Sequence, residues 1–145
     1  MCGITGTFWN KIPENIDLRL NNAISKMANR GPDDQGRQNF QLANGTLLFG
    51  HTRLSIIDLS DGGHQPMQTP DGRYSIIYNG EIYNYRELRN ELKNIGHYFL
   101  THSDTEVLLH AWAEWGKTCL NKLVGMFSFA VFDKVSNELT CIRDA

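Results

Sequence analysis

Apolar residues recur along the chain in two periods, one of strands and one of helices. Residues 3–8 form a run without charge and read as a strand. Ile16, Leu20, Ala23, Ile24 and Met27 follow at helical spacing and predict a helix from about residue 15 to Ala28. Asn29-Arg30-Gly31-Pro32-Asp33-Asp34 breaks it with turn formers and a proline. Residues 36–50 predict a hairpin about Asn44-Gly45, a dipeptide suited to a type I′ turn. A short apolar stretch, Arg53 to Asp58, leads into the loop Ser60-Asp61-Gly62-Gly63-His64-Gln65-Pro66. Pro70-Asp71-Gly72 marks another turn, and Tyr74 to Tyr78 predicts a strand ending at Asn79-Gly80.

Ile82, Tyr85, Leu88, Leu92 and Ile95 describe the inner face of a second helix. Ser103-Asp104-Thr105-Glu106 is a capping box, with serine at the cap and glutamate three residues on. Val107, Leu108, Ala111, Trp112 and Trp115 supply the buried face of the helix it opens, and Gly116 is its stop. Residues 125–133 (GMFSFAVFD) are the most strand-like segment, with 138–143 predicted to pair beside them. Runs of sequential strands argue for antiparallel sheet with helices outside, an α+β layering. With no repeat and no low-complexity linker, the chain reads as one unit.

Composition narrows the classes. A chain of 145 residues, 41% hydrophobic and 10% aromatic, suits a soluble globular protein with a real core. Net charge is −2 with both signs dispersed, so no basic stripe exists to neutralise phosphates, and nucleic acid is not an expected partner. No apolar run approaches the ~18–20 residues that cross a bilayer. Lys11 and Glu14 interrupt any signal-peptide core, so no membrane partner and a cytoplasmic location are expected. Three cysteines (Cys2, Cys119, Cys141) without Cys-x-x-Cys spacing read as reduced thiols.

Cys2 raises the first chemical question. On position alone it is a small residue starting a strand. If Met1 is removed, however, Cys2 carries both a thiol and an α-amine titrating near ~7.7–8.0, an adequate general base at neutral pH. No histidine partner is then required. His97, His102 and His110 have no metal-ligand spacing, and no cysteine pair supports zinc. His51 reads as a structural hydrogen-bonder, and no glycine-rich phosphate loop is present.

MCGITGTF, RGPDDQG (30–36), GHTRLSIIDLSDGGHQPM (50–67), YNGEIYNYRELR (78–89), SDTEVLL (103–109) and GMFSFAVFD (125–133) stand in one order. Together they closely resemble the N-terminal glutaminase domain of glutamine-hydrolysing asparagine synthetases, class II amidotransferases of the N-terminal-nucleophile type. The resemblance spans essentially the whole chain. It implies an αββα sandwich, two antiparallel sheets between helix layers. It also implies hydrolysis of L-glutamine to glutamate and ammonia: Cys2 attacks the side-chain amide, ammonia leaves, and water resolves a γ-glutamyl thioester.

The substrate's chemistry matches the residues that the resemblance implies. The α-carboxylate wants a planar fork, and Arg53 stands at the family's position. The α-ammonium wants a carboxylate, and Asp104 matches that ligand; in a first helical turn it also favours the helix dipole. Glu81 adds a second carboxylate to the same pocket. Asn79, through its side-chain amide, and Gly80, through a backbone N–H, are the implied oxyanion donors. Leu54, Ser55, Ile56 and Ile57 are implied to line the substrate's main chain. Arg30-Gly31-Pro32-Asp33 is expected to shape a loop over the pocket.

In that family the strand at Ile142-Arg143-Asp144 continues into more sheet, followed by a synthetase domain that activates a carboxylate with ATP. With the last residue at Ala145, the expectation is an incomplete amidotransferase domain over 1–145, lacking C-terminal strands and leaving a sheet edge exposed. No cofactor is expected in this chain, ATP and Mg²⁺ belonging to the absent synthetase part, which would be the ammonia-accepting partner as a domain or a subunit. Two alternatives stand beside the glutaminase: a non-catalytic glutamine-binding or assembly domain of the same fold, and an N-terminal-nucleophile hydrolase acting on another amide. Retention of the whole residue set argues against the first, and the Arg53–Asp104 pairing against the second.

Overall fold

The first sheet is built from β1 (Gly3–Trp9), β2 (Asp34–Leu42) and β3 (Gly45–Arg53), which pair antiparallel in the order β1-β3-β2. A second antiparallel sheet runs β4-β5-β6-β7, built from β4 (Met67–Gln68), β5 (Tyr74–Ile82), β6 (Gly125–Asp133) and β7 (Glu138–Arg143). The computed structural model describes residues 2–11 and 13–144. Met1, whose removal would free the Cys2 amine, lies outside the described residues, as do Ile12 and Ala145.

The two sheets face each other across Phe40, Leu47, Phe49, Ile77, Ala130 and Phe132. Phe40 meets Phe49 edge-on at 5.5 Å between centroids and Phe132 at 4.8 Å, geometries that add to simple area burial. On the outer face of the first sheet, α1 (Ile16–Lys26) buries Leu20 and Ile24 against Leu48. On the outer face of the second, α2 (Tyr85–Asn94) and α3 (Asp104–Trp115) bury Leu88, Leu92, Val107, Leu108 and Trp112 against Ile76, Tyr78 and Phe129. The order helix, sheet, sheet, helix is the αββα sandwich. It explains why β3 is buried along Thr46–Arg53 without alternation: both of its faces are covered.

Several sequence expectations are corrected. The Asn79-Gly80 pair does not end β5, which runs on to Ile82 with Asn79 opposite Ser128 and Gly80 opposite Phe127. The glycine serves close approach there, since a Cβ would collide with the Met126 carbonyl. The β2–β3 loop is Ala43-Asn44, with Leu42 opposite Gly45. Neither loop residue has positive φ, so the turn is not type I′; Gly45 takes φ 152° instead, where a side chain would strike Trp9. α1 ends at Lys26 and passes into a single 3₁₀ turn, Ala28–Arg30. Ile82 belongs to β5, and Ile95 caps α2 as an exposed residue.

The capping box is half present. Ser103 Oγ accepts the Glu106 N–H at 3.1 Å, but the Glu106 carboxylate accepts from the N–H groups of Leu100 and Thr101, both at 2.8 Å. His51 is a structural hydrogen-bonder: buried on β3, it places Nε2 3.2 Å from the Tyr78 carbonyl of the other sheet. All three cysteines are free; Cys119 is buried and Cys141 exposed. Among the described residues, no helix is long and apolar enough to cross a membrane.

Candidate active site

Cys2 stands immediately before β1, half-buried, at the end of the sandwich where β3 hands over to the 54–60 loop. Its thiol is held by one residue: the Leu54 N–H donates to Sγ at 3.4 Å, and Sγ lies 3.8 Å from the Leu54 carbonyl. Arg30 Nε donates to the Cys2 carbonyl at 3.0 Å, so the turn after α1 fixes the backbone of that residue. Gly31 permits this turn to press on β3, where any Cβ would meet Thr52 and Arg53. Arg30 thus anchors the site through the main chain.

A cavity of about 150 Å³ opens beside the thiol. Cys2, Arg53, Leu54, Ile56, Ile57, Gly80, Glu81 and Asp104 all line it, so the fold gathers most of the sequence-derived residues from four separate segments. Asn79 and Ser55 stand outside the lining. Alternation along β5 puts Asn79 on the face of Ile77, between the sheets. Its Oδ1 is buried without a hydrogen-bond partner among the described residues. Ser55 is turned to the neighbouring loop, its N–H donating to Asp33 Oδ2 at 2.8 Å.

Arg53 ends β3 with its side chain only 7% exposed. Nη1 donates to the Ser60 carbonyl at 2.7 Å and Nη2 to the Asp58 carbonyl, and Gly63 packs so closely that a Cβ there would strike the guanidinium. A lysine could not reproduce this, because one ammonium cannot bridge both carbonyls in a planar fork. Asp58 completes the frame. Its carboxylate accepts from the Ser60 N–H (2.9 Å) and hydroxyl (2.6 Å) and from the His102 N–H (3.0 Å), joining the 54–60 loop to the loop before α3. The Ser60 hydroxyl, ahead of other donors, holds the Asp58 carboxyl below the usual carboxylate range.

Asp104 opens α3 and is 6% exposed. Burial pushes its carboxyl up, while the Ile82 N–H at 3.1 Å and the Tyr78 hydroxyl at 2.8 Å, both on Oδ2, act the other way. A carboxylate at the wall of a low-dielectric cavity is strongly favourable to an entering ammonium group. The cavity therefore carries a guanidinium, two carboxylates, a strand N–H at a glycine and a thiol. That set can bind a zwitterionic α-amino acid and present its side chain to a sulfur nucleophile.

Sequence reasoning missed Asp58, Gly63, Gln65, Tyr78, Ser103, Thr105 and Met126 as cavity residues. Gln65 is buried, accepting the Tyr78 N–H at 2.6 Å and donating to Thr105 Oγ1 at 3.2 Å, so it ties β5 to α3 behind the cavity. Asp58, set inside the apolar stretch Ile56-Ile57-Asp58-Leu59, was the available signal; Gln65 lies in a polar loop, and the partners of the two lie 44 and 40 residues away.

Comparison with known proteins places these features. Residues 1–145 match the family described as "Glutamine amidotransferase domain". The chain is 45% identical over 150 residues to asparagine synthetase [glutamine-hydrolyzing] 3 of Bacillus subtilis, covering 99% of this chain and 23% of the relative. It is 43% identical over 141 residues to a putative asparagine synthetase [glutamine-hydrolyzing] of Mycobacterium tuberculosis, covering 91% and 21%. It thus spans less than a quarter of the length of these relatives. Among solved structures, glutamine phosphoribosylpyrophosphate amidotransferase from B. subtilis superposes with a TM-score of 0.55 at 26% identity, over 70% of this chain and 23% of that one.

Proposed function

The chain belongs to the glutamine amidotransferase domain family, and from that premise we propose that it hydrolyses L-glutamine to glutamate and ammonia with Cys2 as nucleophile. The ammonia feeds an ATP-dependent amidation of the asparagine synthetase type, carried out by a domain or subunit outside residues 1–145. The observation that carries the reading is one cavity lined by Cys2, Arg53, Gly80, Glu81 and Asp104.

In this mechanism the α-carboxylate of glutamine pairs with Arg53, and the α-ammonium with Asp104 and Glu81. The side-chain amide then lies toward Cys2. Loss of Met1 exposes the Cys2 amine, which takes the thiol proton as sulfur attacks the amide carbon. The Gly80 N–H and Asn79 amide receive the oxyanion. The same amine returns the proton to the departing nitrogen, ammonia leaves, and water cleaves the thioester. Leu54, Ile56 and Ile57 wall the substrate's main chain, with Ser55 supporting their loop.

A purified sample supplies the test through intact mass and glutamate production, with Cys2→Ala alongside. Expected are a mass lacking Met1, glutamate release by the native protein, and none by Cys2→Ala. Glutamate release surviving in Cys2→Ala, or an active protein that retains Met1, overturns the mechanism.

A further inference from the structure

We propose that Tyr78 is a positioning residue for substrate selection: its hydroxyl fixes the Asp104 carboxyl group that receives the α-ammonium of the amide substrate. The inference rests on the glutamine reading above and adds to it the group that decides whether an α-amino acid is preferred to the same amide without its amine.

Tyr78 is only 3% exposed, and its ring packs in the apolar layer between β5 and the helices. An apolar side chain would serve that layer equally well, so the hydroxyl needs a separate account. It points at the cavity end of α3 and donates to Asp104 Oδ2 at 2.8 Å. The Ile82 N–H, from the same strand, donates to the same oxygen at 3.1 Å. β5 therefore grips the carboxylate by Oδ2 alone, leaving Oδ1 without a bond to the sheet on a residue that lines the cavity.

The electrostatics agree with this geometry. Burial alone favours the neutral acid at Asp104, and a neutral acid does not hold an ammonium group. The two donors on Oδ2 counter that burial without cancelling it, so each one matters to the charge. Tyr78 is suited to be one of them, because burial, with the neighbouring Asp104 charge, pushes its phenol far above the physiological range. It is thus a donor at every working pH. The other charged or titratable groups around the pair include Glu81 on β5, Cys2 ahead of β1, Arg53 at the end of β3, Asp58 in the loop after it, and His51, whose Nε2 meets the Tyr78 carbonyl.

The test compares glutamine with glutarate monoamide, which has the same carboxylate and amide but no α-amine. Tyr78→Phe keeps the ring and removes the hydroxyl. Expected is an increase of about 10-fold in KM for glutamine, with kcat within about 2-fold and KM for the monoamide unchanged. The acidic limb of kcat/KM for glutamine should move up by about one pH unit, whereas Tyr78→3-fluorotyrosine, a stronger donor, should move it down. Equal losses on both substrates, or a limb unmoved by 3-fluorotyrosine, overturn the proposal; the second arm decides even where Tyr78→Phe fails to fold. Calorimetric binding of the two amides in a Cys2→Ala background measures the same selectivity without turnover. Absent turnover with a selectivity that still depends on Tyr78 overturns the glutaminase reading alone; absent binding of glutamine overturns both.

Discussion

Asn79 shows how a single residue's neighbours decide its meaning. Read by itself, Asn-Gly is the commonest of hairpin turns. In the fold it lies inside β5, its Oδ1 buried and unpartnered among the described residues. A buried amide oxygen that forgoes a partner costs stability, on the order of 1–3 kcal/mol. The proposed oxyanion role of its amide nitrogen predicts that Asn79→Ala lowers kcat for glutamine by about 100-fold or more, and the unpartnered oxygen that the urea midpoint is unchanged or raised. A variant that turns over at the native rate removes Asn79 from the oxyanion assignment. Gly80 beside it makes a different demand, close approach to β6, which the sequence shows only as the absence of a side chain.

At the scale of elements, the start and stop of α3 were legible because they rest on local chemistry. Ser103 caps α3, and Gly116 ends it at φ 54°. Removing the cap hydroxyl in Ser103→Ala should cost about 1 kcal/mol in equilibrium urea unfolding, with Ser103→Thr restoring most of it. Recovery absent in the threonine variant would show that packing, not the cap, supports that end. What was not legible has a common cause. The other arm of Glu106 goes to Leu100 and Thr101 instead of Ser103, because the chain before α3 folds back over it. β5 continues past Asn-Gly because β6 supplies the ladder, pairing Met126 with Glu81 and Gly125 with Ile82. The site residues Asp58, Gln65 and Tyr78 were hidden for the same reason: each acts through a partner far along the chain, and local periodicity carries no record of it.

Across the whole molecule, the two sheets meet through an apolar layer that polar links cross, among them Ser75 Oγ to Gln38 Oε1 and fully buried His51 to the Tyr78 carbonyl. Burial, its largest influence, lowers the His51 pKa from 6.5 to about 4. The unfolded chain therefore takes up this proton first as pH falls. The contribution of neutral His51 is complete above pH 6.5 and is lost progressively down to about 4. Between pH 7 and pH 5 that loss is about 2 kcal/mol. His51→Gln, which keeps a donor for the Tyr78 carbonyl, should flatten the pH dependence of unfolding free energy by about that amount; an unchanged slope would assign the acid sensitivity elsewhere. The layering itself followed from the resemblance and from strand runs bracketed by helices, whereas the link between sheets needed coordinates. That link is what holds β3, carrying Arg53, against β5, carrying Gly80 and Glu81.

Burial also sorts the cysteines in a way that matters at the bench. Cys119 is sealed in the layer beneath α3, with its thiol pushed up to about 11, while Cys141 sits exposed on β7 and Cys2 opens to the cavity. Reactivity toward alkylating reagents follows the thiolate and its access. At neutral pH such a reagent passes over Cys119 and finds two addresses; with Cys141→Ser, the cavity alone keeps one.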